Sequence, residues 1–261
     1  MQRPIGIFDS GVGGTSIWKE IVTLLPNEST IYLADSKHAP YGNKTPEEIL
    51  RLCIKNTEFL IAQGAKIIVV ACNTATTNAI SYLRNKYPIP FIGIEPAIKP
   101  AASLSMNKSV GILATKGTLN SALFSATSKR YSADINLLEV VGEGLVPLIE
   151  AGALESLRLK NLLKEYLQPM ITANIDYLVL GCSHYPYLIP LLKELLPPTV
   201  IIIDSGEAAA RQTLAVLSQN NLLNEKNQMA THHIYSNLQT ETLQKLLTNF
   251  HPSPKFELKT F

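Results

Sequence analysis

The sequence predicts an α/β protein made of two similar halves, each a mainly parallel sheet flanked by helices. Three observations carry that expectation. Short β-rich runs alternate with amphipathic helical patterns for most of the chain, the arrangement that builds βαβ units. Several of the runs are apolar at every position, as in strands covered on both faces of a parallel sheet. An internal echo repeats in order: Ile5-Gly6-Ile7-Phe8-Asp9-Ser10 resembles Val110-Gly111-Ile112-Leu113-Ala114-Thr115, and Val69-Val70-Ala71-Cys72-Asn73 resembles Val179-Leu180-Gly181-Cys182-Ser183. The offsets, 105 for Gly6 to Gly111 and 110 for Cys72 to Cys182, suggest duplication.

Taken in order, strands are expected at 5–8, 31–34, 67–71, 91–94, 110–113, 137–141, 177–180 and 200–203. The clearest helix begins at Thr45-Pro46-Glu47-Glu48. Thr45 suits an N-cap, Pro46 the first helical position, and Glu48 closes a capping box. Cys53 falls among Ile49, Leu52 and Leu60 in that helical pattern and reads as core. The polar, Asn-rich segment 219–230 reads as a loop before a short final strand and helix.

Composition narrows the function. The 46% hydrophobic and 17% charged residues describe a chain with a substantial core rather than a disordered one. Its 23 basic and 21 acidic residues, for a net charge of +2, are scattered without long like-charged runs. A nucleic-acid partner or a membrane-surface role is therefore not expected. No signal-peptide h-region is visible at the N-terminus, and the longest apolar runs are strand-sized, so a cytoplasmic protein is expected. Three cysteines cannot all pair internally, and free thiols are the default in a reducing compartment.

Ligands of open parallel sheets bind beyond the carboxyl ends of the strands. Four loops there are rich in Asp, Ser, Thr, Asn, Cys and His: 9–14, 35–42, 72–76 and 182–185. Cys72 and Cys182 each end an apolar strand and precede polar residues, where backbone N–H groups at a helix start would lower a thiol pKa. Cys182-x-His184 supplies only two metal ligands, with no CxxC beside it, so zinc is not expected. The glycine loop Asp9-Ser10-Gly11-Val12-Gly13-Gly14 fails the dinucleotide fingerprint, because Ser16 stands where the third glycine belongs. Its amides could still face an anion, a ligand carboxylate included. Asp35 and Glu150, read in isolation, are solvated surface charges. His184, two residues from a strand-end cysteine, is a candidate for tuning that thiol.

In order along the chain, IGIFDSGVGG, ADSKHAPYGNKT, VVACNTAT, GILATKGT, LIEAG and LVLGCSHYPYL resemble the motifs of the glutamate racemases in the aspartate/glutamate racemase family. The likeness spans about positions 5 to 190, and IIDSGEAAAR adds to it. Ser183 departs from the threonine usual there but keeps a hydroxyl. The resemblance implies two α/β domains, expected at 1–95 plus 209–261 and at 96–208, with the site between them. It implies interconversion of L- and D-glutamate without pyridoxal phosphate or metal, in a cytoplasmic homodimer that supplies peptidoglycan synthesis and so cell-wall biogenesis and cell shape. By position it makes Cys72 and Cys182 the acid/base catalysts, assisted by Asp9 and His184. It makes Asp9, Ser10, Tyr41, Gly42, Asn73, Thr74, Ser183 and His184 substrate contacts, with Asp35, Glu150, Thr115 and Thr118 as auxiliary candidates. It assigns deprotonation of L-glutamate to Cys182 and of D-glutamate to Cys72.

Two thiols suit such a reaction. Inverting a stereocentre by proton transfer needs one group on each face of the α-carbon, one taking a proton while the other delivers. Sulfurs that each approach that carbon to about 3–3.5 Å lie on the order of 7 Å apart, too far for a disulfide at about 2 Å. The α-proton is far less acidic than a thiol, so donors must stabilise a carbanion-like transition state. Asp9 would oppose thiolate formation unless a cation intervenes. Rivals are an aspartate or hydantoin racemase of the same group, a non-catalytic amino-acid-binding protein of this fold, and thiol redox chemistry, which the missing CxxC disfavours.

Overall fold

The computed structural model describes residues 3–131, 133–224 and 229–261. The first half runs β1 (Ile5–Asp9), α1 (Thr15–Leu24), β2 (Thr30–Ala34), α2 (Pro46–Ala62), β3 (Ile67–Val70), α3 (Asn73–Lys86) and β4 (Phe91–Gly93). The second runs α4 (Ile98–Leu104), β5 (Ser109–Ala114), α5 (Lys116–Leu119), α6 (Ala122–Tyr131), β6 (Asn136–Val141), α7 (Leu145–Glu150), α8 (Leu157–Thr172), β7 (Tyr177–Gly181), α9 (Ile189–Leu195) and β8 (Ile201–Ile203). Then follow α10 (Gly206–Gln219), β9 (His232–Ser236), α11 (Glu241–Leu247) and β10 (Lys255–Leu258). Each of the eight expected strand runs is a strand. Of the expected loop at 219–230, residues 225–228 lie outside the described residues. β10 is an addition, since only one strand was expected after that loop.

The strands form two sheets, ordered β10-β9-β2-β1-β3-β4 and β6-β5-β7-β8, and every pairing is parallel. The order 2-1-3-4 recurs in both sheets, as a duplicated pair of βαβ halves requires. β9 and β10 extend the first sheet beyond β2. α10 returns to pack on α1 of the first half.

Apolar patterning and position agree. β1, β2, β3, β5 and β7 are buried at every residue, whereas the edge strand β6 alternates between exposed and half-buried positions. Only a central parallel strand has both faces covered by helices. The α2 capping box forms: the Glu48 N–H donates to Thr45 Oγ1 at 3.2 Å, and the Thr45 N–H to Glu48 Oε2 at 3.1 Å. Cys53 is fully buried in the first-half core. No helix among the described residues is long and apolar enough to cross a membrane.

Candidate active site

Because both sheets are parallel, each half gathers its strand-end loops on one edge, and the two edges face one another across a cleft. β1 delivers Asp9 there, wholly buried. Its Oδ2 accepts from the Gly11 and Gly14 N–H groups at 3.2 and 2.8 Å, and its Oδ1 from Ser183 Oγ at 3.1 Å. The Val12 N–H donates to Glu150 Oε1 at 2.7 Å. The glycine loop therefore spends these amides on the protein's own carboxylates, where a ligand anion was expected. Its glycines serve close approach instead. A Cβ at Gly11 would stand 1.8 Å from Glu150 Oε1, and one at Gly13 2.2 Å from His184 Nδ1.

Cys72 and Cys182 follow β3 and β7, the paired central strands of the two sheets, and both line the cleft with Ser10, Asn73, Thr74, Ser183 and His184. Cys72 caps α3, accepting from the Ala75 N–H at 3.4 Å, and lies 3.8 Å from Ser10 Oγ. A helix cap was expected to lower its pKa. The net shift is well upward, because burial and then the charge of Asp9 outweigh the Ala75 amide and the Ser10 hydroxyl. The surroundings of Cys72 thus favour the neutral thiol. Cys182 stands at the start of a 3-10 turn region (Tyr185–Leu188) rather than at an α-helix, with its Sγ 3.8 Å from His184 Nδ1.

His184 is buried, and Glu150 Oε1 meets its Nε2 at 2.5 Å. Its Nδ1 lies 4.0 Å from Asp9 Oδ2 and 3.4 Å from Ser183 Oγ. Burial alone would strip its proton. The hydrogen bonds with Cys182 and Glu150 and the charges of Asp9 and Glu150 overcome that cost and hold its pKa well above the ordinary imidazole value. Burial also pushes the Asp9 carboxyl up, opposed by the His184 charge and the Gly14 amide. His184 Nδ1 is thus near both Asp9 Oδ2, at 4.0 Å, and Cys182 Sγ, at 3.8 Å, on a ring whose raised pKa favours the cationic form.

Asp35, expected at the surface, is completely buried. It accepts from Tyr41 Oη at 2.5 Å and from His38 Nδ1 at 2.7 Å, and lies 3.5 Å from Lys55 Nζ. Asn237 also donates to it. Tyr41 is pinned by Asp35 and by Asn56 Nδ2 at 3.1 Å, so its buried ring and Gly42 form a wall of the cleft. Across from them, Thr74 Oγ1 lies 2.8 Å from Thr115 Oγ1 and 3.3 Å from Thr118 Oγ1, which are 3.0 Å from each other. Asn73 Nδ2 is buried without a hydrogen-bond partner, an expensive state for an amide unless an acceptor joins it.

Of the candidate residues, ten line the cleft: Ser10, Tyr41, Gly42, Cys72, Asn73, Thr74, Thr115, Cys182, Ser183 and His184. Asp9, Asp35, Glu150 and Thr118 sit behind them as hydrogen-bond partners. Pro40, within the expected loop 35–42, and Val146, which carries no sequence signal, also line it. Ser36, which donates to Glu150 Oε2 at 2.9 Å, was likewise missed. So was Ser16, which donates to the Ser183 carbonyl at 2.8 Å. Among the described residues, no group of three or more His, Cys, Asp or Glu is placed to hold a metal ion.

Twin parallel sheets with a cysteine at the end of each matching central strand define the amino-acid racemase class, and comparison with known proteins agrees. The model of the Asp/Glu/Hydantoin racemase family matches residues 5–213. The chain belongs to that family. Within it, a glutamate racemase of Ectopseudomonas mendocina is 49% identical over 233 residues, 89% of each chain. The crystal structure of Escherichia coli glutamate racemase with L-glutamate and the activator UDP-MurNAc-Ala superposes with a TM-score of 0.87, at 32% identity over 99% of both chains. That of Francisella tularensis glutamate racemase with D-glutamate gives 0.83 at 30% identity, over 99% of this chain and 98% of the other.

Proposed function

We propose that the protein is a glutamate racemase that interconverts L- and D-glutamate by proton transfer between Cys72 and Cys182, with no cofactor. The observation that carries this reading is that two thiols, one from each half, line a single cleft. Their surroundings differ in the way two-base chemistry needs. Burial, and then the charge of Asp9, push the Cys72 thiol well up and favour its neutral form. His184, whose pKa is held well above the ordinary imidazole value, faces Cys182 at 3.8 Å, and the family resemblance makes Cys182 the base toward L-glutamate.

Cys182 thiolate then takes the α-proton, breaking C–H and forming S–H. On the other face the Cys72 S–H breaks and its proton goes to the same carbon. The product is D-glutamate, with the two sulfurs' protonation exchanged; the reverse direction uses Cys72 as base. Asn73 Nδ2, buried and unpaired, is available to a substrate carboxylate, as are the hydroxyls of Ser10, Thr74 and Ser183. Such preorganised donors stabilise the developing carbanion. Asp9 and His184 act on the thiols. Asp35 positions Tyr41, Glu150 positions His184, and Thr118 supports Thr74 and Thr115.

The family resemblance further supports a cytoplasmic homodimer that feeds peptidoglycan synthesis. Domains at 1–95 plus 209–261 and at 96–208 follow the division of strands between the sheets. The test is incubation of the protein with each glutamate enantiomer in D₂O, following optical rotation and loss of the α-proton NMR signal. Both enantiomers should exchange and interconvert. Cys72→Ala and Cys182→Ala should each abolish interconversion, and full activity in either variant refutes the assignment.

A further inference from the structure

We infer that Asn78 and Gly117 are positioning residues that form a closure seam across the cleft mouth, holding the threonine cluster shut over the bound substrate. The inference rests on the racemase reading for what the seam encloses, but not for its geometry. Asn78 lies on α3, one turn beyond Thr74, and its Nδ2 donates to the Thr74 carbonyl at 2.8 Å. The same nitrogen reaches the Gly117 carbonyl on α5 at 3.3 Å. One side chain thereby ties the helix that begins at Cys72 to the element that carries Thr115 and Thr118. The Thr74–Thr115 contact at 2.8 Å joins the same two segments, and both threonines line the cleft.

At Gly117 the two halves leave no room for a side chain. A Cβ there would stand 2.8 Å from Thr74 Cγ2, 3.0 Å from Gly42 Cα and 3.2 Å from the Gly42 carbonyl oxygen. The first partner is a methyl that could turn aside; the other two are backbone and cannot. Any side chain at 117 must therefore push α5 away from the Tyr41–Asn43 turn. Directly outside lies a second hollow of about 90 Å³ that shares Pro40, Gly42, Thr115 and Val146 with the cleft. Substrate passing from that hollow to the sulfurs must part the Gly42–Thr115 contact, and the seam must re-form behind it. Cys72 and Cys182, only 4% and 6% exposed, are sealed while it is closed.

The seam is testable without any catalytic assay. Native protein, Asn78→Ala and Gly117→Ala are each treated with N-ethylmaleimide, and labelling of every cysteine is timed by peptide mass spectrometry. Cys53, fully buried in the first-half core, reports unfolding. Loss of one ordinary hydrogen bond should raise the opening equilibrium, and with it the labelling of Cys72 and Cys182 in Asn78→Ala, about fivefold. Gly117→Ala should exceed that, and Cys53 should stay unlabelled in both. KM and kcat for both enantiomers should stay within about twofold of native in Asn78→Ala, because the free and bound states both keep the seam closed and the closed fraction stays near one. Labelling of Cys72 and Cys182 at the native rate in Asn78→Ala overturns the seam. Should Gly117→Ala label at Cys53 and so prove unfolded, Asn78→Ala, which introduces no clash, decides alone. Accelerated labelling in a protein that does not exchange glutamate would uphold the seam and refute the racemase reading.

Discussion

Gly13→Ala is the sharpest single test of how the two halves are assembled. A Cβ at Gly13 would lie 2.2 Å from His184 Nδ1, 2.3 Å from its Cγ and 2.6 Å from its backbone nitrogen. The ring could rotate, but it is clamped by Glu150 on one side and faces Cys182 on the other. The backbone nitrogen cannot rotate away. To bring that contact to the 3.4 Å where ordinary packing begins, the 182–184 loop must retreat by about 0.8 Å. A displacement of about 1 Å at reacting groups costs on the order of 10²-fold in rate, close to 3 kcal/mol in transition-state stabilisation. The loops meet at the ends of the sheets, so each half keeps its own core. We expect kcat/KM for both enantiomers to fall about 100-fold while the thermal midpoint drops by only a few degrees. Racemisation followed by circular dichroism, with a melt on the same sample, makes the comparison. Activity within about threefold of the native protein would show that the loop accommodates the methyl without moving the sulfur, and would refute the reasoning.

Further outcomes follow from the same contacts. Glu150→Gln removes a charge that holds the proton on His184. The His184 pKa should fall, and the alkaline limb of the racemisation–pH profile should move to lower pH; an unmoved limb would exclude His184 as the cation that matters. A histidine with a raised pKa contributes stability that is complete below its ordinary value near 6.5 and lost as pH rises through the folded value. Glu150→Gln should therefore lose some stability at neutral pH, readable in urea melts. His232 has the opposite sign: burial, and then the neighbouring His233, lower its pKa to about 4. Its stabilising effect is complete above about pH 6.5 and is lost as pH falls toward 4, so His232→Gln should flatten that part of the stability–pH curve. Lys66 and Glu28 form an ion pair with both side chains 2% exposed, and Lys66 Nζ also donates to the Leu222 carbonyl at 2.6 Å. Lys66→Met strands Glu28 and should cost about 3–5 kcal/mol in chemical denaturation, while Lys66→Met with Glu28→Leu should recover much of it.

The local features were legible because their causes are local. An apolar run of four or five residues announces a strand, buried at the sheet centre and partly exposed in β6 and β8 at the edges, and Thr45-Pro46-Glu47-Glu48 carries its own helix start. The echo between Gly6 and Gly111, and between Cys72 and Cys182, anticipated a strand order repeated in both sheets. β10 escaped notice because Lys255-Phe256-Glu257-Leu258 is short, charged and largely exposed at a sheet edge, where pairing with β9 rather than hydrophobicity makes the strand.

What the sequence determined, then, was which residues reach the strand ends: Asp9, Cys72 and Cys182 follow from apolar period and chain order alone. Their ionisation was another matter. Asp9 meets Ser183 from 174 residues away, and Val12 meets Glu150 from 138. Glu150 reaches His184 only because α7 and the loop after β7 converge. Proton affinities depend on burial and on such through-space partners. A helix cap read along the chain therefore pointed to an acidic Cys72, while in the folded cleft burial, and then the charge of Asp9, push that thiol's pKa well up.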